Sequence, residues 1–385
     1  MKSSPIHYSR RHDVDWLRVL AFISLIFYHI GMFYVHDWGW HVKSAYQSVF
    51  LQNIMLMFNQ WRMPLIFFIS GLALAMVEPK ISSPTLVKIR FTRIFVPLIL
   101  GMILIVPPQT YHEAIQNYAY LGNYFEFWLE YINPSTQLLP AMHHEPIGLL
   151  TWNHLWYLIY LWVYTLIYVM FKPVLQWLAD VTRSLSASTS SIWLIPVLLL
   201  TTYLVFLRPY YPRTNALFGD WYNHALYFTI FILGYFAAKS PTIWQRIIDA
   251  RRIWAGFALI GFMGIMAAHN GWIDIPENDP LVQIQNKLWR AANMWSWLLM
   301  VVGFGGAYLN KPSATLSYLN QAILPWYILH QTIIIVIAMA LSAFALGGML
   351  ESGLLTISTF AVCAILYEII RRFKPLRFVF GMKPG

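Results

Sequence analysis

Arg18 and His29 stand eleven residues apart in the apolar run DVDWLRVLAFISLIFYHIGMFYV. At 3.6 residues per turn, eleven steps make three turns and about 20°, so both side chains leave one helical face. Their separation along the axis is roughly 16 Å, about half a hydrocarbon core. Asp15 lies one turn below Arg18 on nearly the same face. Ionisable groups at such depth are expensive and mark functional sites by default. His29 is the member of the stripe that trades protons near neutral pH. The pattern points to acid–base or group-transfer chemistry inside a membrane, with His29, Asp15 and Arg18 as the catalytic candidates. The plainer role for His29 is an interhelical hydrogen bond that holds a bundle together.

Five further groups belong to the same question. Arg62, in FNQWRMPLIFFISG, falls near the middle of a second apolar run and must face a cavity, a carboxylate or an anion. Pro64, two residues on, is placed to kink or open the helix beside it. His330, in LPWYILHQTIII, is again near mid-membrane, with a satisfied core histidine as the alternative. His154 and Trp156, in WNHLWYLIYLW, open another run and fit either an acceptor site or an aromatic interfacial belt. Lys88, Arg90 and Arg93, in LVKIRFTRIFVPLI, are placed to hold the phosphates of a cytoplasmic cofactor, Arg by bidentate pairing. They could equally be topology-setting charges. His143, His144 and Glu145 are adjacent rather than helically spaced, so a solvated loop is expected and no metal site.

The elements that position these residues follow from composition. Of 385 residues 58% are hydrophobic and 11% charged, and apolar stretches of bilayer-spanning length recur from end to end, so the fold class is all-α, a polytopic membrane protein. About ten transmembrane helices are expected, near 14–35, 49–77, 86–107, 152–171, 191–207, 221–238, 253–269, 287–309, 318–344 and 353–373. With the amino terminus inside, 20 of the 26 Lys and Arg fall on the inner side and 5 outside, with Arg62 left within a span. That asymmetry predicts two cytoplasmic termini. It also accounts for the net charge of +10 without nucleic acid as a partner. One cysteine, Cys363, excludes an intrachain disulfide. The first apolar run reads as a signal anchor rather than a cleaved leader. The chain 1–385 reads as a single transmembrane domain without internal repeat, with one long outer loop at about 108–151, rich in Tyr, Trp, Asn and carboxylates. Glu113, Glu126, Glu130 and Glu145 lie in that loop.

No Walker loop, Rossmann glycine pattern, GxSxG elbow or zinc spacing is present. What remains is histidine-centred chemistry in a bundle. Here the residues resemble a known family. Arg18, ten residues and His29 look like the R-x10-H signature of the acyltransferase 3 family of integral membrane enzymes. FNQWRMPLIFFISG is similar to that family's second-helix motif, KIRFTRIFVPLI to its basic entry to span three, and NHLWYL and YILH to further stretches. The closing ILYEIIRRFKPLRFVFGMKP is similar to the periplasmic-glucan succinyltransferase branch.

The resemblance implies transfer of an acyl group, acetyl or succinyl, from cytoplasmic acyl-CoA to a hydroxyl of an extracytoplasmic glycan. The implied setting is a bacterial inner membrane, with acyl-CoA a co-substrate and no permanently bound cofactor. Arg18, Arg62, Lys88, Arg90 and Arg93 would serve the acyl-CoA, and His330, His154 and Trp156 the tunnel or acceptor side. A tunnel open at Arg18 on one side and near His29 on the other is expected. The alternative class is a transporter or flippase that uses His29, Arg62 and His330 as substrate or proton-relay groups.

Overall fold

The computed structural model describes residues 11–144, 146–185 and 188–383. It is 77% helical with almost no strand, which leaves a helical bundle as the way to cross a bilayer. Sixteen α-helices follow in order: α1 His12–Tyr34, α2 Val49–Val77, α3 Ser83–Arg90, α4 Val96–Leu104, α5 Pro107–Tyr118, α6 Tyr124–Tyr131, α7 Trp156–Met170, α8 Lys172–Leu185, α9 Thr189–Phe206, α10 Trp221–Lys239, α11 Pro241–Asp249, α12 Arg251–His269, α13 Pro280–Tyr308, α14 Ala314–Ser342, α15 Gly348–Ile370 and α16 Lys374–Val379. Two-residue strands β1 Pro146–Ile147 and β2 Leu150–Thr151 pair antiparallel.

Seven helical stretches among the described residues are long and apolar enough to span a membrane, and nine if two bent pairs each count as one span. This is an integral membrane protein. Of the ten runs read from sequence, the one at 287–309 lies outside that set. It falls in α13, which has 29 residues but whose apolar stretch is diluted by Asn293, three tryptophans and three glycines. The bent pairs come from two short helices absent from the sequence reading. α8 turns 87° away from α7, and α11 turns 103° away from α10.

The long loop expected at about 108–151 is not irregular. It holds α5, α6 and the β1–β2 hairpin, because Pro107 and Pro108 start one helix and Asn123 caps the other through a capping box with Glu126. Glu145 lies outside the described residues.

The two ends of the bundle differ. At one end, the His12 amide donates to Asn310 (3.1 Å), Tyr318 donates to Glu368 (2.9 Å) and Glu78 meets Lys172 and Lys239. This basic face therefore gathers the start of α1, the α13–α14 turn and the end of α15. At the other end, His41 meets Glu113, Trp152 donates to the Asn215 carbonyl (2.9 Å) and Ser44 to Glu351 (2.8 Å). Lys43 caps α1 there, donating to the carbonyls of Met32 (2.9 Å) and Val35 (2.8 Å). Partial burial pushes its ammonium pKa down.

α1 packs against α2, α13, α14 and α15, so its polar face looks into the bundle. α2 and α10 approach most closely at Gly71 and Gly234. A Cβ on either would overlap the backbone carbonyl of the facing helix, Phe231 or Phe68. α2 stays a continuous α-helix through Pro64. An irregularity sits in the segment after α3, where Phe91–Phe95 form one π-helical turn before α4. An extra residue in that turn re-aims Arg93 relative to Arg90, and such bulges concentrate at functional sites.

Candidate active site

His29 is held by a residue 301 positions away. Its Nδ1 lies 2.7 Å from Nε2 of His330 on α14, and the two rings are 5.0 Å apart and nearly parallel, at 21°. His330 is fully buried, with Nδ1 against the carbonyls of Tyr327 (2.7 Å) and Trp326 (3.2 Å). His154 stands edge-on to His330 at 5.2 Å. Both of its nitrogens are engaged, Nε2 donating to the Ile328 carbonyl (3.1 Å) and Nδ1 facing the Gln109 amide (3.3 Å). Gln109 belongs to a buried polar network with Asn153, Gln331 and Thr332. His41 joins that network through Asn153 (3.0 Å) and ends at Glu113.

The other side of His29 faces a cavity of about 190 Å³. Phe22, Leu25, Arg62, Tyr157 and Tyr227 line it inside the bundle, and Arg213 and Asn215 line it towards the loop face. His154 and Trp156 also border it, whereas no Asp or Glu among the described residues does. Arg62 is 8% exposed, lies over the Tyr28 ring at 3.3 Å, and leaves Nε and Nη1 without a hydrogen-bond partner among the described residues. A buried guanidinium with two idle donors beside an imidazole is arranged to receive an anion or a developing oxyanion.

Arg213 is brought to the cavity by a strapped loop between α9 and α10. Buried Asp220 accepts from the Asn215 amide (2.9 Å), Asn223 (2.8 Å) and the Tyr160 hydroxyl (2.5 Å). Asn215, Leu217 and Gly219 take positive φ to make the turn, which Gly219 alone does at no steric cost.

A second polar cluster sits nearer the basic face. Arg18 pairs with Asp15 (3.0 Å) and also bonds Asn320. Arg90 and Arg93 are half-buried and close enough for each to feel the charge of Arg18. Arg93 Nε donates to the Gly381 carbonyl (3.0 Å), while the Arg90 guanidinium makes no hydrogen bond among the described residues. Arg18, Arg90 and Arg93 thus lie close together, and clustered guanidiniums suit phosphate oxygens. Lys88 is exposed and makes no ion pair among the described residues. Arg18, Arg90 and Arg93 are not in the lining of the His29 cavity. The rings of Phe22, Tyr157 and Tyr327 pack edge to face at the end of the cavity that Tyr157 shares with Arg18 and Arg90. The described cavity thus ends at this aromatic cluster, and Arg18, Arg90 and Arg93 lie outside it.

A family model described as an acyltransferase domain, that of the acyltransferase 3 family, matches residues 11–368. The chain belongs to the acyltransferase 3 family. Among curated relatives of this acyltransferase, glucans biosynthesis protein C of Salmonella typhimurium strain LT2 is 24% identical over 390 residues, covering 97% of this chain and 95% of its own. The proteins of the same name from Salmonella typhi and Salmonella heidelberg match over the same length at the same identity. No solved structure matches the chain.

The structure brings His29, Arg62, His154 and Trp156 of the acyltransferase around one cavity and sets His330 behind His29. It gathers Asp15, Arg18, Arg90 and Arg93 in the other cluster, so Asp15 serves Arg18 rather than His29. Sequence reasoning missed Arg213, Asn215, Tyr157 and Tyr227. Arg213 reads as a loop charge in RPYYPRTN, and Tyr157 as one more aromatic at an interface. Among the described residues no three metal-ligating side chains converge, and the His143 ring is engaged with the Leu138 carbonyl (3.0 Å).

Proposed function

We propose that the protein moves an acyl group, acetyl or succinyl, from cytoplasmic acyl-CoA to a hydroxyl of an extracytoplasmic glycan, in a bacterial inner membrane. The observation that carries this reading is the pairing of one cavity, where His29 meets the idle donors of Arg62, with a separate cluster of Arg18, Arg90 and Arg93 nearer the basic face. The basic face would be cytoplasmic, with both termini on it and α13 as the tenth span. Its cations would hold the CoA phosphates. The thioester arm would pass the Phe22–Tyr157–Tyr327 cluster and bring the carbonyl to His29. The glycan would enter from the loop face, where Arg213, Asn215 and Trp156 border the cavity. The relatives' name, glucans biosynthesis protein C, supports a glucan as the acceptor class.

In direct transfer His29 takes the acceptor hydroxyl proton as the oxygen attacks the thioester carbonyl. Arg62 stabilises the oxyanion of the tetrahedral intermediate. Collapse breaks the carbon–sulfur bond, and the proton passes from His29 to the CoA thiolate. In the two-step route His29 attacks the thioester first and expels the CoA thiolate, carries the acyl group, and yields it to the acceptor oxygen as the hydroxyl proton passes to the thiolate. The test is His29→Ala in lipid nanodiscs, with acyl-CoA and a soluble glucan oligosaccharide. Ester formation and CoA release should fall at least about 10²–10⁴-fold, with thermal stability near wild type. Wild-type turnover by this variant would reject the mechanism.

A further inference from the structure

The hydrogen bonds around His330 fix which nitrogen of His29 is the base. Carbonyl oxygens only accept, so His330 Nδ1, at 2.7 Å from the Tyr327 carbonyl and 3.2 Å from that of Trp326, carries a hydrogen. A neutral imidazole has one N–H, so His330 Nε2 presents a lone pair. His29 Nδ1 lies 2.7 Å from that lone pair and must donate to it. The remaining lone pair of His29 is therefore on Nε2, the nitrogen left for the cavity its ring lines. The reverse arrangement needs His330 doubly protonated. That would be a cation in a fully buried site, in hydrogen-bond contact with no carboxylate among the described residues, which is costly. His154 does not compete for His330, since its own nitrogens face Ile328 and Gln109.

We propose that His330 is the positioning residue of this enzyme. It locks His29 in the Nδ1–H tautomer and shares the positive charge that His29 gains during transfer. The arrangement has the logic of a catalytic triad in which helix carbonyls replace the carboxylate. When the acceptor proton reaches His29 Nε2, the Nδ1 hydrogen moves towards His330 Nε2. The charge is then spread over two rings, with the far end on the Tyr327 and Trp326 carbonyls. When the proton leaves Nε2 for the thiolate, the pair returns to neutral. The charge-sharing half of the proposal rests on the acyl-transfer reading above, and the tautomer does not.

Two measurements test it. The first is ¹⁵N NMR of histidine-labelled protein in nanodiscs, with the His29 ring signals identified by their loss in His29→Asn. At neutral pH the expected state is protonated Nδ1 and unprotonated Nε2; the opposite tautomer overturns the proposal. The second compares His330→Leu with His330→Gln in CoA release from succinyl-CoA with a glucan oligosaccharide. The Leu variant should lose about 10²–10³ in kcat with KM for the thioester changed less than about 3-fold. The Gln variant, whose side-chain oxygen can still accept from Nδ1, should recover about 10-fold of that loss. Wild-type kcat in the Leu variant, or Gln no better than Leu with both folded, overturns the role. If neither variant folds, the NMR result alone decides. If wild-type protein releases no CoA at all, the acyl-transfer reading fails while the tautomer measurement still stands or falls by itself.

Discussion

Two buried charges of α2, one at mid-helix and one just past its end, are treated in opposite ways. Glu78, just past its end, is surrounded by partners: Lys239 at 2.5 Å, Lys172 at 3.1 Å, and Gln176 and Tyr235 at 3.3 Å. It ties α2 to α8 and α10, and the chain itself satisfies it. Arg62, in the same helix, has an aromatic face beneath it and no carboxylate, with two donors idle. Burying a charge without a partner costs free energy that folding does not recover. A site that keeps one is shaped for something the chain does not contain. Glu78 is closed by the chain, and Arg62 is left open.

Swapping leucine into each position breaks the comparison most directly. Arg62→Leu should lower turnover about 10²–10³-fold, the usual loss for an oxyanion donor. Thermal stability should hold or rise, because an unpaired buried cation is removed. Glu78→Leu should do the reverse. It leaves two lysines facing each other without their anion and should cost about 2–3 kcal/mol. That is below the range for fully dry pairs because Lys172 and Lys239 remain 26% and 18% exposed. Turnover per folded molecule should stay near wild type. The check is thermal denaturation in detergent alongside the CoA-release assay. A stability loss at Arg62 as large as at Glu78, with turnover intact, would make both sites structural.

The cluster at the basic face sharpens the same distinction. Arg90 makes no hydrogen bond among the described residues, while Arg93 already donates to Gly381. Replacing both by Gln should weaken CoA binding about 30-fold, from about 1 kcal/mol for each charge-assisted bond at a half-exposed position. Arg90→Gln alone should account for the larger share. Calorimetry with CoA measures this. Unchanged affinity would return both residues to setting topology.

What was legible beforehand divides along the same line. The face shared by Asp15, Arg18 and His29 is a local property of helical pitch, so it could be read from spacing, as could most spans from apolar run length. The partner of His29 could not, because nothing in LPWYILHQTIII states which helix it will meet. The separation of the His29 cavity from the Arg18 cluster was hidden for a similar reason. It depends on Phe22, Tyr157 and Tyr327, three rings from three helices. α8 and α11 were missed because they are short and amphipathic, and the apolar-run criterion passes over such segments. Arg213 was missed because its place depends on a loop folded around Asp220, with two non-glycine residues in left-handed conformations that no simple turn signature announces.

Arg213 gives the finest version of the comparison. An acyl group travels ahead of its thioester, so whatever it carries at its far end reaches past His29 towards the loop face. For an acetyl group that end is a methyl, and for a succinyl group it is a carboxylate. The cavity lining offers Arg62 and Arg213 and, among the described residues, no acid, which favours the carboxylate. Arg213 is solvent-exposed, so its pull is modest, about 1 kcal/mol, or about 5-fold in binding. Arg213→Gln should therefore raise KM for succinyl-CoA about 5-fold and leave acetyl-CoA unchanged. Paired KM measurements with the two donors at fixed glucan concentration decide it. An equal rise for both would mean that the arginine acts through the loop or the acceptor. A rise for succinyl-CoA alone would make Arg213 a second open charge, completed by the substrate as Glu78 is completed by the protein.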